Sequence, residues 1–264
     1  MKNFLIIFLL VFVFSPAFAQ KSKDNPPGTV HLKDNIYIDT EEISNQSWLE
    51  YQYFYKRLLP DDTAKHQFTL PDTTLWGEAN ALASQYLRSK EFRNYPVVGM
   101  TYEQALDFCQ FRTDAVNIYF YIKENNIELK EGRKDYENLI KIAPKKVKYR
   151  LPTEAEWEMA ATIPFSKKSE KKIKKNDGVF GNFLKANSQN NTTIDLTAPT
   201  NSYFPNELGL YNLFGNVAEM TMEKGIAKGG AYIHPQEEID VKTKISYEKP
   251  TVWLGFRCVA EMLE

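Results

Sequence analysis

Read for runs and alternation of apolar positions, the chain opens with Phe4 to Phe14, eleven apolar residues without a break. Lys2 precedes the run and Ala17-Phe18-Ala19 follows it, the order of an export signal with a small-residue cleavage site before Gln20. The run is shorter than the ~20 residues a helix needs to cross a bilayer. Residues 1–19 are therefore expected to be a removed signal peptide, with no transmembrane helix in the mature chain. Residues 20–28 (QKSKDNPPG) read as a flexible tail, and 29–264 as one domain. Its first element is NIYIDTEEIS, which alternates like a strand before turning polar at Ser44-Asn45. NQSWLEYQYFYKRLL then carries aromatics at helical spacing, and Asp61 to Thr74 has turn chemistry with little periodicity. Thr101 to Phe111 reads as a helix, with Thr101 and Gln104 as a capping box and Ala105, Phe108 and Cys109 on one face. A second capping box, Thr153 with Glu156, opens TEAEWEMAA after Pro152. Between the two, Asn125 to Ala143 is a polar helical stretch.

Beyond Pro164 the helical signal fades. Ser166 to Lys175 (SKKSEKKIKK) holds six lysines and one glutamate; a solvated loop fits better than an anion-binding patch, since no aromatic is interleaved to stack a base. Residues 176–260 are rich in Asn, Gly and Thr with short apolar runs. The expected fold class is α+β: a single irregular domain with low regular secondary structure in its C-terminal half. A hydrophobic content of 43% with 14% aromatics excludes a disordered chain. Charge is balanced, 33 Lys+Arg against 34 Asp+Glu, which argues against a nucleic-acid partner. Two cysteines and three histidines exclude zinc ribbons and dense disulfide scaffolds. In an exported chain the pair Cys109 and Cys258 is more often bonded than free.

Six segments, in order, carry a resemblance. IYIDTEEISNQSWLEYQYF, YPVVGMTYEQALDFCQF, YRLPTEAEWEMAA, GLYNLFGNVAEMT, KGGAY and LGFRCV together cover most of residues 36–260. They resemble the formylglycine-generating enzyme family, the sulfatase-modifying-factor domain, and so imply its C-type-lectin-like fold. FCQFRTDAVN further resembles the branch found in bacterial gliding-motility and type IX secretion lipoproteins. The motifs also have a local physical reading. Glu154 and Glu156 suit the positive end of a helix and read as cap and dipole partners rather than a catalytic pair. Trp157 and Ala160 share a core-facing side, and Phe256 and Cys258 alternate with Gly255 and Arg257 as in a half-buried strand. Arg257 reads as a structural ion-pair partner rather than a substrate clamp.

The resemblance implies a copper site at two cysteines in the pattern G-G-S-x-x-C-x4-C. Here Gly229-Gly230 is followed by His234 and Ile239 at those positions, so no copper is expected. An iron site is not supported either, because His31, His66 and His234 do not cluster, and His234 reads as an exposed loop residue. No G-x-S-x-G elbow and no phosphate-cradling glycine loop occurs. The resemblance also implies structural calcium held by Asn212, the Gly215 and Val217 carbonyls and Glu219, all oxygen donors. The alternative is that Asn212 and Glu219 only hydrogen-bond the loop. A second calcium site would use an asparagine between 182 and 187 and an acid such as Asp195, in a region that departs from the pattern. Finally, the resemblance places Cys109 and Cys258 where the family has a structural disulfide.

Three functions compete: a non-catalytic interaction or scaffold module beside cell-envelope protein partners, a diverged metal-dependent oxidoreductase, and a peptide- or sugar-binding module. The loss of the thiols favours the first. Localisation follows from the signal: periplasm or cell envelope, or secretion.

Overall fold

The computed structural model describes residues 25–77, 81–129, 133–184 and 196–263. The signal segment, most of the tail, Asn187 and Asp195 lie outside the described residues; Asn182 lies within them and donates to the Leu196 carbonyl at 2.9 Å. Among the described residues, two small sheets and seven helices of very different length are set in irregular chain, as expected for the α+β class.

The first sheet brings the two ends of the domain together. β1 (Thr29–Lys33) and β2 (Ile36–Asp39) form a hairpin, and β8 (Val259–Met262) runs antiparallel between β2 and β3 (Val147–Arg150). Ala260 faces Tyr37 on one side and Tyr149 on the other. The second sheet has the order β6-β5-β4-β7, from Ile245–Ser246, Ile226–Lys228, Ala218–Met220 and Leu254–Gly255. Its β4–β7 pair is parallel and the others antiparallel.

Two helices share one apolar cluster with residues of both sheets. In α1 (Asn45–Leu58), Trp48, Tyr51, Phe54 and Leu58 recur at helical spacing and are buried. Ser44 accepts from the Ser47 N–H and so caps the helix where the sequence turns polar. In α4 (Tyr102–Asn125) the Thr101–Gln104 capping box is present. Phe108 stacks on Trp48 at 5.6 Å with the ring planes 6° apart, and Phe256 meets both rings edge-on. Each such aromatic contributes roughly 2–3 kcal/mol of burial. This cluster is the centre of the core.

Several elements differ from the sequence reading. Asp61 to Thr74 contains α2 (Thr63–Phe68), capped by Asp62, and a 3-10 turn at Thr73–Trp76. A five-residue α3 (Ala81–Gln85) follows. The helix expected to end at Phe111 runs on to Asn125, because its polar positions are buried against distant partners. Arg112 pairs with Asp39 at 2.6 Å, and Asn117 exchanges hydrogen bonds with Val147 and Lys146 of the β3 entry. The FRTDAVN segment therefore fastens α4 to both sides of the first sheet. The polar stretch after it is helical as α5 (Arg133–Ile142).

The lysine-rich segment is a helix, α7 (Lys167–Lys175), and not a loop. Ser166 caps it, and Ser169 donates to the Pro205 carbonyl at 2.7 Å, tethering one face while the lysines stay solvated. LGFRC is not a half-buried strand. Residues 254–260 are buried on every side, and 256–258 lie between β7 and β8.

Candidate functional site

The helix α6 (Glu154–Ala161) sets one wall of the site. Its capping box is present, and Arg150 adds two hydrogen bonds of 2.7 Å to Glu156. Burial works against the Glu156 charge, but Arg150 and the Thr153 N–H hold the carboxyl down at about 2. Glu154 pairs with Lys244 at 2.8 Å. Both acids are thus engaged as caps and ion pairs. Trp157, fully buried on the inner face, donates its indole N–H to Glu219 at 2.8 Å.

Glu219 sits on β4 and Arg257 just beyond β7, and both are fully buried. Arg257 donates through Nε and Nη2 to the two oxygens of Glu219 at 2.7 and 2.6 Å. Its remaining donors reach the Asp39 and Tyr211 carbonyls at 3.0 and 2.7 Å. This confirms a structural pairing role for Arg257. A neighbouring acid, Glu42, is not singled out by the sequence reading. Asn216 and Asn212 donate to its oxygens at 2.8 and 3.1 Å. Burial pushes Glu42 up to about 8 against the pull of Arg257, and the Glu219 charge adds to the rise. Asn212 and Asn216 both adopt positive φ, 49° and 64°, and both are buried. Asn212 also donates to the Thr200 carbonyl at 3.0 Å, while its Oδ1 is buried without a partner.

The glycine pair lies on the other side of Trp157. Gly229 has φ +86°, and a side chain there would run into the Leu213 carbonyl and the Trp157 ring. Gly230 has φ +69°, and a methyl group on it would stand 2.7 Å from Ile239 Cγ1. Ile239 is itself buried and covers Gly230. His234 is half-buried rather than exposed: its Nδ1 accepts the Ala231 N–H at 2.9 Å, and its ring meets Trp253 edge-on at 5.8 Å. Burial lowers its pKa. Lys228, fully buried, reaches Glu158 at 3.1 Å.

Comparison with known proteins decides what this arrangement is. The sulfatase-modifying factor enzyme 1-like domain matches residues 10–262. The chain belongs to this family. Formylglycine-generating enzyme from Thermomonospora curvata is 33% identical over 98 residues, and that from Mus musculus 26% identical over 147. Those stretches cover 34% and 43% of this chain but only 32% and 40% of the enzymes' own lengths. The crystal structure of CarF superposes with a TM-score of 0.51 at 19% identity, covering 87% of both chains. That likeness concerns the fold.

The donor set can now be held against the metals that the sulfatase-modifying-factor family implies. Copper in a two-thiolate site does not fit. Gly230 is covered by an isoleucine, and the one histidine nearby already uses a ring nitrogen to accept from the backbone. Among the described residues, no three His, Cys, Asp or Glu side chains gather as a metal cluster. For calcium the oxygen set is mixed. The Asn212 Oδ1 is an orphaned buried acceptor, as an oxygen-liganded cation needs. Glu219 is already neutralised by Arg257, so a cation there would share its carboxylate.

Cys109 and Cys258 are brought together. Their sulfurs are 3.6 Å apart across 149 residues, and both side chains are buried. Burial pushes the Cys258 thiol well above its ordinary value. Among the described residues no helix is long and apolar enough to cross a membrane.

Proposed function

We propose that this chain is an exported member of the family that works without the copper chemistry, as an interaction or scaffold module of the cell envelope. The observation that carries the reading is Ile239, buried over Gly230 where the enzymes place a metal-binding thiol. An isoleucine side chain offers no ligand atom to a soft metal ion. The test is turnover. The purified mature chain is loaded with copper and given a sulfatase-type cysteine peptide, reductant and air. The reading expects no aldehyde above a metal-only control, and turnover above that control overturns it. A diverged oxidoreductase would need ligands beside His234, whose Nδ1 is engaged by the Ala231 N–H.

The partner is a cell-envelope protein, and the resemblance of FCQFRTDAVN points to gliding or type IX secretion machinery. Arg112, Thr113 and Asn117 of that segment are buried, so a partner reads other surfaces. Calcium has a structural role in this reading, held by Asn212 Oδ1, the Gly215 and Val217 carbonyls and a Glu219 shared with Arg257. Chelation then lowers the melting temperature; an unchanged melt with no ion found by mass spectrometry removes calcium from the account.

A further inference from the structure

α1, α2 and the segment carrying Arg88 and Arg93 line an open cavity of about 830 Å³, which shares no lining residue with the glycine pair. Its size is that of a small-ligand site. The walls are fixed by hydrogen bonds. Gln52 donates to the Thr69 carbonyl at 2.7 Å, and the Gln46 N–H to the Arg93 carbonyl at 2.9 Å. Leu49, Tyr53 and Leu70 give the lining its apolar surface, Tyr53 and Leu70 being exposed.

Two polar atoms in this cavity lack partners. The Glu50 carboxylate receives Gln46 Nε2 on one oxygen at 2.8 Å, while its other oxygen is buried with none. His66 Nε2 is buried and unpartnered as well. Native structures rarely leave buried polar atoms unsatisfied, and two facing one cavity mark a place where something else supplies the bonds. At the rim, Arg88 and Arg93 are exposed and form no ion pair among the described residues. Burial raises the Glu50 pKa to about 7, the condition that an N–H donor would relieve.

We infer that this cavity binds a free amino acid or a peptide C-terminus, with N–H donors to Glu50 and His66, a carboxylate to Arg88 and Arg93, and an apolar side chain on Leu49, Tyr53 and Leu70. The orphaned acceptors call for donors, the exposed guanidinium groups at the rim suit an anion, and Leu49, Tyr53 and Leu70 suit an apolar body. A terminal residue of a peptide carries all three. The site goes beyond the scaffold reading and does not depend on the copper argument.

The experiment is calorimetric titration of the mature chain with phenylalanine, leucyl-phenylalanine, N-acetyl-leucyl-phenylalanine and leucyl-phenylalaninamide. Binding of phenylalanine alone assigns the site to free amino acids; binding of the acetylated dipeptide assigns it to peptide ends. In either case the C-terminal amide binds at least tenfold more weakly. The exposed double variant R88A/R93A, which leaves the fold untouched, loses tenfold or more. Glu50→Leu weakens binding while raising the melting temperature of the free protein, a split that a merely structural glutamate would not give. The inference is overturned if none of the four probes binds at millimolar concentration, if the amide binds as well as the acid, or if neither variant changes the affinity.

Discussion

Replacing Arg257 by Met tests the buried joint on which the site is built. Arg257 is fully buried and makes four hydrogen bonds, two of them to the equally buried Glu219. Methionine keeps much of the stem volume but strands the Glu219 charge and leaves the Asp39 and Tyr211 carbonyls without this donor. Breaking a buried ion pair from one side costs about 3–5 kcal/mol. For a domain of this size that corresponds to a fall in melting temperature of roughly 6–20 °C. The assay is urea unfolding followed by tryptophan fluorescence, in chelator so that no cation substitutes for the guanidinium. Pairing R257M with Glu219→Gln removes the stranded charge, so the double variant should be no less stable than R257M alone. A loss below about 1 kcal/mol in R257M would refute the argument, because no buried carboxylate could then depend on Arg257.

Three further outcomes follow from particular contacts. Oxidation should join Cys109 to Cys258, whose sulfurs lie 3.6 Å apart, and stabilise the chain by about 5 kcal/mol in the loop-entropy model; two free thiols in the unfolded, unreduced mature protein would contradict this. Glu50 has its folded pKa raised by burial to about 7 from 4.5, so it binds its proton more tightly folded than unfolded. Stability should therefore fall as pH rises from about 4.5 to 7, by at most about 3 kcal/mol before discounting for partial exposure. Glu50→Gln should flatten that slope in pH-dependent melts, and an equal slope in the variant removes Glu50 as its cause. Gly230→Ala should cost about 1–3 kcal/mol, from positive φ and the contact with Ile239, and should cost less when made in an Ile239→Ala background, as read by chemical unfolding.

What could be read from the sequence was what local chemistry decides. Both capping boxes are present as the spacing of Thr101 with Gln104 and Thr153 with Glu156 predicts, since a cap needs only neighbours within one turn. The aromatic spacing of α1 likewise marks its buried face. The full length of α4 was hidden because Arg112 and Asn117 look like solvent residues until Asp39 and the β3 backbone arrive from far along the chain. The helix α7 was missed for the opposite reason: its lysines suggest a loop, while Ser166 and Ser169 supply the cap and the tether. Short strands such as β8 pair across most of the sequence and leave little periodic signal.

The site was legible in its substitutions more than in its contacts. His234 and Ile239 at the expected thiol positions are visible in one line of sequence, but that Ile239 covers Gly230 is visible only in three dimensions. Glu42 carries no motif role in the sequence reading, yet it receives both Asn212 and Asn216. Glu50 and His66 gave no signal either, one lying in an aromatic helix and the other in a segment with turn chemistry.

The central claim, that this member of the family has no copper centre, is tested most directly by titrating the reduced mature chain with Cu(I) against a chromogenic chelator of known affinity. The account predicts that the wild-type chain leaves the copper with the chelator, while the double substitution His234→Cys and Ile239→Cys withdraws one equivalent. One equivalent withdrawn by the wild-type chain, and lost on His234→Ala, would contradict it.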